Sequence, residues 1–122
     1  MKKITVKDIL ERKEIVEKLP KNFKSETFNA EFEVRDDVSK DSIIEIMKEE
    51  EGQYRQYLKL VYLCCPFFKS EELRKNFEVK EPYDLVDKVF SGATKEVIDF
   101  GNFILQKYGF LSKEALDKIK KQ

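Results

Sequence analysis

The side chains that could carry chemistry in this chain are carboxylates, lysines and cysteines, because its 122 residues include no histidine. Histidine is the commonest general base near neutral pH and the commonest metal ligand in proteins. Three pairs of acids could in principle serve acid/base or magnesium chemistry: Asp36 with Asp37, Glu71 with Glu72, and Asp84 with Asp87. Each pair lies where a helix cap or a solvated helix face accounts for it. The sequence therefore predicts a protein that is not an enzyme and uses no cofactor or metal ion.

The two cysteines, Cys64 and Cys65, are adjacent in the sequence. This spacing suits neither a CxxC redox motif nor a zinc site, and no histidine is present to complete a mixed set of ligands. The four glycines do not cluster into a phosphate-binding loop. The cysteines are therefore predicted to be small apolar residues of the core.

Charge is balanced over the whole chain, with 24 basic and 24 acidic residues. Zero net charge exerts no overall attraction towards nucleic acid or an anionic membrane, so neither is predicted as a partner. Locally the charges separate: residues 1–24 hold eight basic and four acidic side chains, whereas residues 31–51 hold three basic and nine acidic ones. We favour the interpretation that these charges balance within one monomer or lie on solvated faces; the alternative is that they orient a partner.

The beginning of the chain, MKKITVKDILERKE, lacks the uninterrupted apolar stretch and the cleavage site of a signal peptide. No apolar run in the sequence reaches the length that is needed to span a membrane. We therefore expect the protein to stay in the cytoplasm.

The first elements that the sequence predicts are a helix and a β-hairpin. Thr5 and Asp8 have the spacing of a capping box. The helix that follows extends to about residue 18, and its thin apolar stripe consists of Val6, Ile9, Leu10 and Val16. The segment ETFNAEFEVRDD alternates between apolar and polar residues, which predicts a half-buried strand over residues 28–34. Its nearest partner is residues 19–24, which predicts a hairpin; without that pairing the strand would be an edge open to another chain.

Helices are predicted from residue 39 onwards. Ser39 caps one that ends in the acidic run of residues 49–51. Acids oppose the dipole at a helix C-terminus, so either this helix continues past Gly52 or the acids pair with lysines elsewhere. A tyrosine-rich apolar stripe over residues 54–65 predicts the central helix, which Pro66 ends. Because the basic residues are interleaved with acids, we interpret the tyrosines as buried and not as a platform for nucleic-acid bases.

The second half of the chain is predicted to contain two short helices and a long one. Ser70 caps the first, and KEPYDLVDKVF over residues 80–90 forms the second, which we interpret as a docking helix because its apolar residues recur on one side. Thr94 caps the long helix, which ends at Gly109. Its apolar face consists of Val97, Ile98, Gly101, Ile104, Leu105 and Tyr108, whereas Phe100 and Phe103 are predicted to project to another side. A glycine in the middle of that face predicts a close crossing with another helix.

A weak terminal helix that frays at its end is predicted over residues 112–122. No internal repeat or low-complexity linker divides the chain. Together these elements predict a mainly α fold, a compact single domain over residues 1–122 with about five to six helices and one short β-hairpin or strand near residues 19–35.

Aromatic residues are in surplus, with ten phenylalanines and five tyrosines but no tryptophan. They either build a large aromatic core or form an exposed apolar patch that binds another protein. On the second interpretation, the candidate partner-binding residues are Phe67, Phe68, Phe100, Phe103 and Phe110.

The segment FFKSEELRKNFEVKEPYDLVDKVFSGATKEVIDFGNFILQKYGF, residues 67–110, resembles the XkdN-like phage tail assembly chaperones. In that family a proline and an xxLxxxF helix lead into an xxPxDxVDKxxxPGE segment and then a helix that ends near SGF. The matching residues here are Pro66, Leu73, Phe77, Pro82, Asp84, Val86, Asp87, Lys88, Gly109 and Phe110. The PGE turn is replaced by SGATKE, in which Gly92 is kept and the proline is lost.

The resemblance implies a non-enzymatic function. Members of the family are thought to bind the tape measure protein, to keep it soluble and to help recruit tail tube subunits, without remaining in the finished virion. It thus implies the tape measure protein and also the tail tube protein as partners in the host-cell cytoplasm, with self-association open. Three alternatives remain: a small nucleic-acid-binding regulator, a generic helical adaptor and an enzyme without histidine. A basic face would favour the regulator, and a cleft that gathers several acids would favour an enzyme.

Overall fold

The computed structural model describes residues 1–110, and the helix predicted over residues 112–122 lies outside the described residues. Within them the chain forms six α-helices, one 3-10 helix and a two-stranded antiparallel sheet. In chain order the elements are α1 (Val6–Glu17), β1 (Phe23–Ser25), β2 (Ala30–Phe32), α2 (Lys40–Lys48), α3 (Gln53–Cys64), the 3-10 helix (Pro66–Lys69), α4 (Glu71–Phe77), α5 (Asp84–Val89) and α6 (Thr94–Lys107). The predicted class, a mainly helical single domain with a hairpin, is confirmed.

Local hydrogen bonds start the helices close to the predicted residues. The Asp8 amide donates to the Thr5 hydroxyl at 3.2 Å, and the Thr5 amide donates to the Asp8 carboxylate at 3.0 Å, which completes the capping box. The hydroxyls of Ser39 and Ser70 likewise accept a hydrogen bond from the amide three residues further on. Thr94 differs from its prediction, because it is the first residue of α6 and the N-cap residue before it makes no side-chain hydrogen bond.

The acidic run after α2 pairs with a lysine on the next helix. Helix α2 ends at Lys48, so it does not continue past Gly52. Lys59 of α3 forms ion pairs with Glu49 and with Glu51, the latter at 2.8 Å. Of the two explanations that the sequence allowed for the acids, pairing with a lysine elsewhere is therefore correct.

The crossing of α3 and α6 forms the centre of the core. Gly101 lies at this crossing, where a Cβ atom would be 2.6 Å from Cγ of Tyr57. The Tyr57 hydroxyl donates a hydrogen bond to the Asn102 side chain at 2.7 Å, which links the two helices beside the contact. The close crossing predicted from Gly101 is confirmed, because a side chain at this position would overlap the tyrosine ring.

The hairpin is shorter than the alternation of the sequence predicts. Strand β1 pairs with β2 so that Phe23 lies opposite Phe32, and residues 26–29 form the turn. Phe28 therefore belongs to the turn and not to the strand. Glu96 of α6 holds this turn in place: it accepts hydrogen bonds from the Thr27 amide at 3.1 Å and from the hydroxyls of Thr27 and Ser25.

Helix α6 buries a wider face than predicted. Phe100 is fully buried, although it was predicted to lie on another side, and Ile98 of the predicted face is exposed. The reason is that α6 has more than one neighbour. Helix α3 covers the side with Gly101, α5 also contacts α6, and β1 covers the side with Phe100, whose ring stacks on Phe23 with centroids 4.1 Å apart. A single apolar stripe is expected only for a helix that packs against one neighbour.

The stretch over residues 80–90 packs most of its apolar side into the core, and it does not present that side as a docking helix. Leu85 and Val86 are fully buried and Phe90 nearly so, because α5 packs between α3, α4 and α6. Pro82 lies in the turn before α5, which begins at Asp84. The amphipathic helix was predicted correctly, but its apolar side faces the core. The adjacent cysteines at the end of α3 are also fully buried, as predicted.

Candidate functional site

A cluster of buried phenylalanines lies where the hairpin meets the helices. Phe32 is its centre, with ring centroids 5.7 Å from Phe68, 5.6 Å from Phe90 and 5.7 Å from Phe100. Aromatic pairs at these distances are favourable beyond the area that they bury. Much of the aromatic surplus of the sequence is therefore core.

At the edge of this cluster the remaining aromatic rings form an apolar groove of about 640 Å³. Its lining residues come from the hairpin, the 3-10 helix, α4 and α5. The groove is lined by Phe28, Ala30, Glu31, Phe32, Glu33, Phe67, Leu73, Phe77 and Val89. Three of its phenylalanines are substantially exposed, with Phe28 at 46%, Phe67 at 48% and Phe77 at 39%. Large aromatic side chains grouped at one exposed site are typical of a protein-binding surface.

The 3-10 helix determines which of two adjacent phenylalanines enters the groove. Phe68 is fully buried in the cluster, whereas Phe67 projects into the groove with its ring 5.3 Å from that of Phe68 at 88°. The Phe67 ring also packs edge-on against Phe32 at 5.2 Å. Pro66 follows the end of α3 and begins this short helix, so the proline positions Phe67 and Phe68.

The exposed rings are held in position by buried ones. Phe28 packs edge-on against Phe32 at 6.0 Å and against Phe90 at 5.6 Å. The turn that carries Phe28 is held by hydrogen bonds to Glu96, and the Phe28 amide donates to the Ser25 hydroxyl at 3.2 Å. A groove whose walls are already ordered loses little conformational entropy when a partner binds.

The polar rim of the groove is acidic. The charged residues that line it are Glu31 and Glu33, both exposed on the hairpin. An apolar floor beside carboxylates suits an apolar helix face flanked by lysine or arginine. It does not suit a phosphate backbone, which carries the same charge as the rim.

The five phenylalanines predicted to bind a partner do not form one surface. Phe67 lines the groove. Phe68 and Phe100 are fully buried and cannot contact a partner, because both face the aromatic cluster. Phe103 is half-buried against Phe23, and Phe110 is exposed but is not among the residues that line the groove.

Two groove residues, Phe28 and Phe77, were not among the predicted site residues. Both occupy apolar positions of their elements, Phe28 in the alternating segment and Phe77 at the end of a short helix. Their sequence pattern is that of core residues. Phe28 is in the hairpin turn, and Phe77 is the last residue of α4. The available signals were the surplus of aromatic residues and, for Phe77, its place among the motif residues of the resemblance.

Two of the three predicted acid pairs make structural contacts, and the third, Glu71 with Glu72, lies in the first turn of α4. Asp37 forms an ion pair with Arg35 at 2.9 Å, and this hydrogen bond lowers the pKa of the aspartate. Asp87 accepts a hydrogen bond from the Tyr54 hydroxyl at 2.5 Å; burial, together with this contact, raises the pKa of Tyr54 to about 12. Within residues 1–110, no group of three or more side chains could hold a metal ion.

The two thiols are held in their protonated form. Burial raises the pKa of Cys64 to about 11 and that of Cys65 to about 12. The thiolate is the nucleophilic and metal-binding form of cysteine. At neutral pH both side chains therefore act as small apolar residues of the core.

Helix α1 carries a second exposed apolar surface. Not one of its twelve residues is buried in the described structure. The exposed apolar side chains of this region, each at least 44% accessible, are Ile4, Val6, Ile9, Leu10 and Val16. The stripe that the sequence predicts for α1 is thus present but does not pack onto the domain.

No protein-family model, curated protein or solved structure matched the chain when it was compared with each. Among the helices of residues 1–110, none has the length and apolar character that crossing a membrane requires.

Proposed function

We propose that this chain is a non-enzymatic, protein-binding domain that acts as a phage tail assembly chaperone. Its groove would take the apolar face of an amphipathic helix from the tape measure protein. The observation that carries the proposal is the ordered apolar groove with Phe28, Phe67 and Phe77 exposed on its walls. Interface aromatics in such grooves commonly supply much of the binding free energy.

The resemblance to XkdN-like chaperones supports this assignment at the level of single residues. Among the motif residues, Leu73 and Phe77 line the groove, and Pro66 begins the 3-10 helix that presents Phe67. Val86, another motif residue, is fully buried in α5. The part of the chain that carries the resemblance thus also supplies part of the groove lining.

The other attributes of such a chaperone are included in the proposal. The protein would act in the host-cell cytoplasm, keep the tape measure protein soluble, assist the recruitment of tail tube protein and be absent from the virion. A generic helical adaptor would use the same groove with a different client. The acidic rim formed by Glu31 and Glu33 favours a protein client over nucleic acid, which is the partner of the regulator alternative.

The test is co-expression with the tape measure protein of the same phage. Phe67→Asp and Phe77→Asp place a charge in the groove and are expected to abolish co-purification, so that the client precipitates. Phe110→Asp is the matched control, because Phe110 is 41% exposed but lies outside the groove lining. Circular dichroism melts verify that each variant is folded. If folded groove variants still keep the client soluble, the groove is not the binding site.

A further inference from the structure

The hairpin carries Phe28, one of the exposed groove residues, but its own ladder is too small to hold that residue in place. Strands β1 and β2 have three residues each, and a two-stranded sheet of this size is marginal in water. The turn of residues 26–29 includes Asn29 at φ 47°, a left-handed conformation that costs free energy in residues other than glycine. Contacts from outside the hairpin are therefore needed to fix the turn, and Phe28 with it.

Helix α6 makes such contacts at both ends of the hairpin. At the open end, the Lys107 ammonium donates hydrogen bonds to the Lys21 carbonyl at 2.7 Å and to the Val34 carbonyl at 3.3 Å. At the turn, the Glu96 carboxylate accepts hydrogen bonds from the Thr27 amide at 3.1 Å and from the Thr27 hydroxyl. One helix thus holds the hairpin at its two ends.

Glu96 reaches the backbone of Phe28 through a serine. Ser25 is fully buried, and its hydroxyl donates a hydrogen bond to Glu96 and accepts one from the Phe28 amide at 3.2 Å. An ionised carboxylate can only accept, so the serine proton points to Glu96 and the serine oxygen is left to accept from Phe28. Glu96 itself is not among the residues that line the groove.

We propose that Glu96 is a positioning residue for the groove, because it fixes the hairpin turn and thereby places the Phe28 ring in the groove lining before any partner binds. The ring then lies edge-on to Phe32 and Phe90 and stays 46% exposed. A partner that meets an ordered ring does not have to order it and binds more tightly. The effect on binding rests on the proposed chaperone function, whereas the position of the ring does not.

Nuclear magnetic resonance of the full chain without any client tests the position of the ring. Glu96→Gln keeps the size of the side chain but replaces one oxygen with an amide group that cannot accept, so at least one of the three hydrogen bonds is lost. The contacts between the Phe28 and Phe90 rings are expected to weaken, and the Phe28 amide is expected to exchange with solvent at least about tenfold faster. The contact of Phe32 with Phe68 in the core should stay unchanged.

Asp99→Asn is the matched control, because Asp99 lies on the same helix, is 51% exposed and pairs with Lys95. If Glu96→Gln does not fold, Thr27→Val tests the same contact at an exposed position with the carboxylate intact, and it is expected to loosen the turn in the same way. A folded variant whose Phe28 contacts and amide exchange match those of the wild type overturns the proposal.

A double-mutant cycle tests whether Glu96 acts on binding through Phe28. The probe is the labelled peptide, from an overlapping set that covers the tape measure protein, that binds the wild type most tightly, and fluorescence anisotropy measures its Kd. Phe28→Ala and Glu96→Gln are each expected to raise the Kd about tenfold. The double variant is expected to show the same tenfold loss, because the glutamate then has no ring to position. Losses that add in the double variant overturn the coupling.

The two proposals fail separately. If no peptide binds the wild type while the Phe28 ring loosens in Glu96→Gln, the chaperone proposal is contradicted and the positioning by Glu96 holds. If peptides bind the wild type and the folded Glu96→Gln variant equally well, the positioning by Glu96 is contradicted and the chaperone proposal is unaffected.

Discussion

Gly101 sets the distance between the two central helices. A Cβ atom at this position would be 2.6 Å from Cγ of Tyr57 and 2.9 Å from both Cδ atoms. These ring atoms lie near the tyrosine backbone, so they cannot move aside as the tip of a long side chain could. The glycine costs about 1 kcal/mol of helix propensity relative to alanine, and the close packing that it allows outweighs this cost.

We expect Gly101→Leu to lower the free energy of unfolding by about 1–3 kcal/mol through overpacking. Urea denaturation measures this change. Gly52→Ser is the control, because no atom lies within 4 Å of a Cβ built at that position and serine suits the N-cap of α3. A neutral or stabilising result for Gly101→Leu would show that the helices can separate without loss.

Glu96 makes stability depend on pH. Burial alone would raise the pKa of this carboxyl group, but the hydrogen bonds from Ser25 and Thr27 outweigh burial and hold the pKa below its ordinary value of 4.5. A carboxylate whose pKa is lower in the folded state contributes stability above the unfolded pKa, and this contribution is lost as pH falls through the folded value.

We therefore expect Glu96→Gln to destabilise the protein at pH 7 by about 1.5–3 kcal/mol, the range for hydrogen bonds to a charged group. The difference from the wild type should shrink as the pH falls below 4.5, the ordinary glutamate value. Urea denaturation of both proteins at pH 7 and at acid pH measures this. A difference that is constant with pH would mean that the glutamate charge does not hold the hairpin turn.

At the scale of elements, the 3-10 helix places one of two adjacent phenylalanines in the core and the other at the surface. Phe68 is fully buried and Phe67 is 48% exposed, although they are neighbours in the sequence. A short helix that follows a proline turns successive side chains to different sides of the chain. The division decides which ring supports the fold and which is available to a partner.

Alanine substitutions compare how much Phe68 and Phe67 each contribute to stability. Phe68→Ala is expected to cost about 3–5 kcal/mol of stability because it leaves a cavity in the aromatic cluster. Phe67→Ala is expected to cost at most about 1 kcal/mol, since much of its ring already contacts water. Thermal or urea denaturation compares them. Equal losses would show that Phe67 is a core residue and would remove it from the groove.

At the scale of the whole molecule, basic and acidic residues are equal in number, so the net charge of the chain is zero. Some of the basic residues are paired: Lys59 with Glu49 and Glu51, and Arg55 with Glu51 at 3.6 Å and with Asp84 at 3.8 Å. A chain with zero net charge has no overall attraction to the phosphate backbone. Affinity for nucleic acid depends mainly on clustered basic residues that displace counterions.

We expect no detectable binding to duplex or single-stranded DNA at physiological salt. An electrophoretic mobility shift assay tests this. Retardation at micromolar protein that weakens with added salt would favour the regulator alternative over the chaperone.

The sequence by itself determined where most of the α-helices of residues 1–110 begin and that a hairpin follows the first of them. The Thr5 capping box, the Ser39 and Ser70 caps and the ends of α3 depend on hydrogen bonds and backbone restrictions between residues a few positions apart. The hairpin and the close crossing at Gly101 were also predicted, because alternation and a glycine within an apolar face are local patterns.

Only the tertiary structure decided which apolar faces are buried. The stripe of α1 and that of α5 both follow the helical period, yet α1 is exposed while Leu85 and Val86 of α5 are fully buried. Phe100 is covered because α6 has a second neighbour in β1, and Phe67 is uncovered because the 3-10 helix turns it outward. Periodicity shows that a face is apolar. Whether that face is buried depends on elements that are distant in the sequence, and no local pattern specifies their number or position.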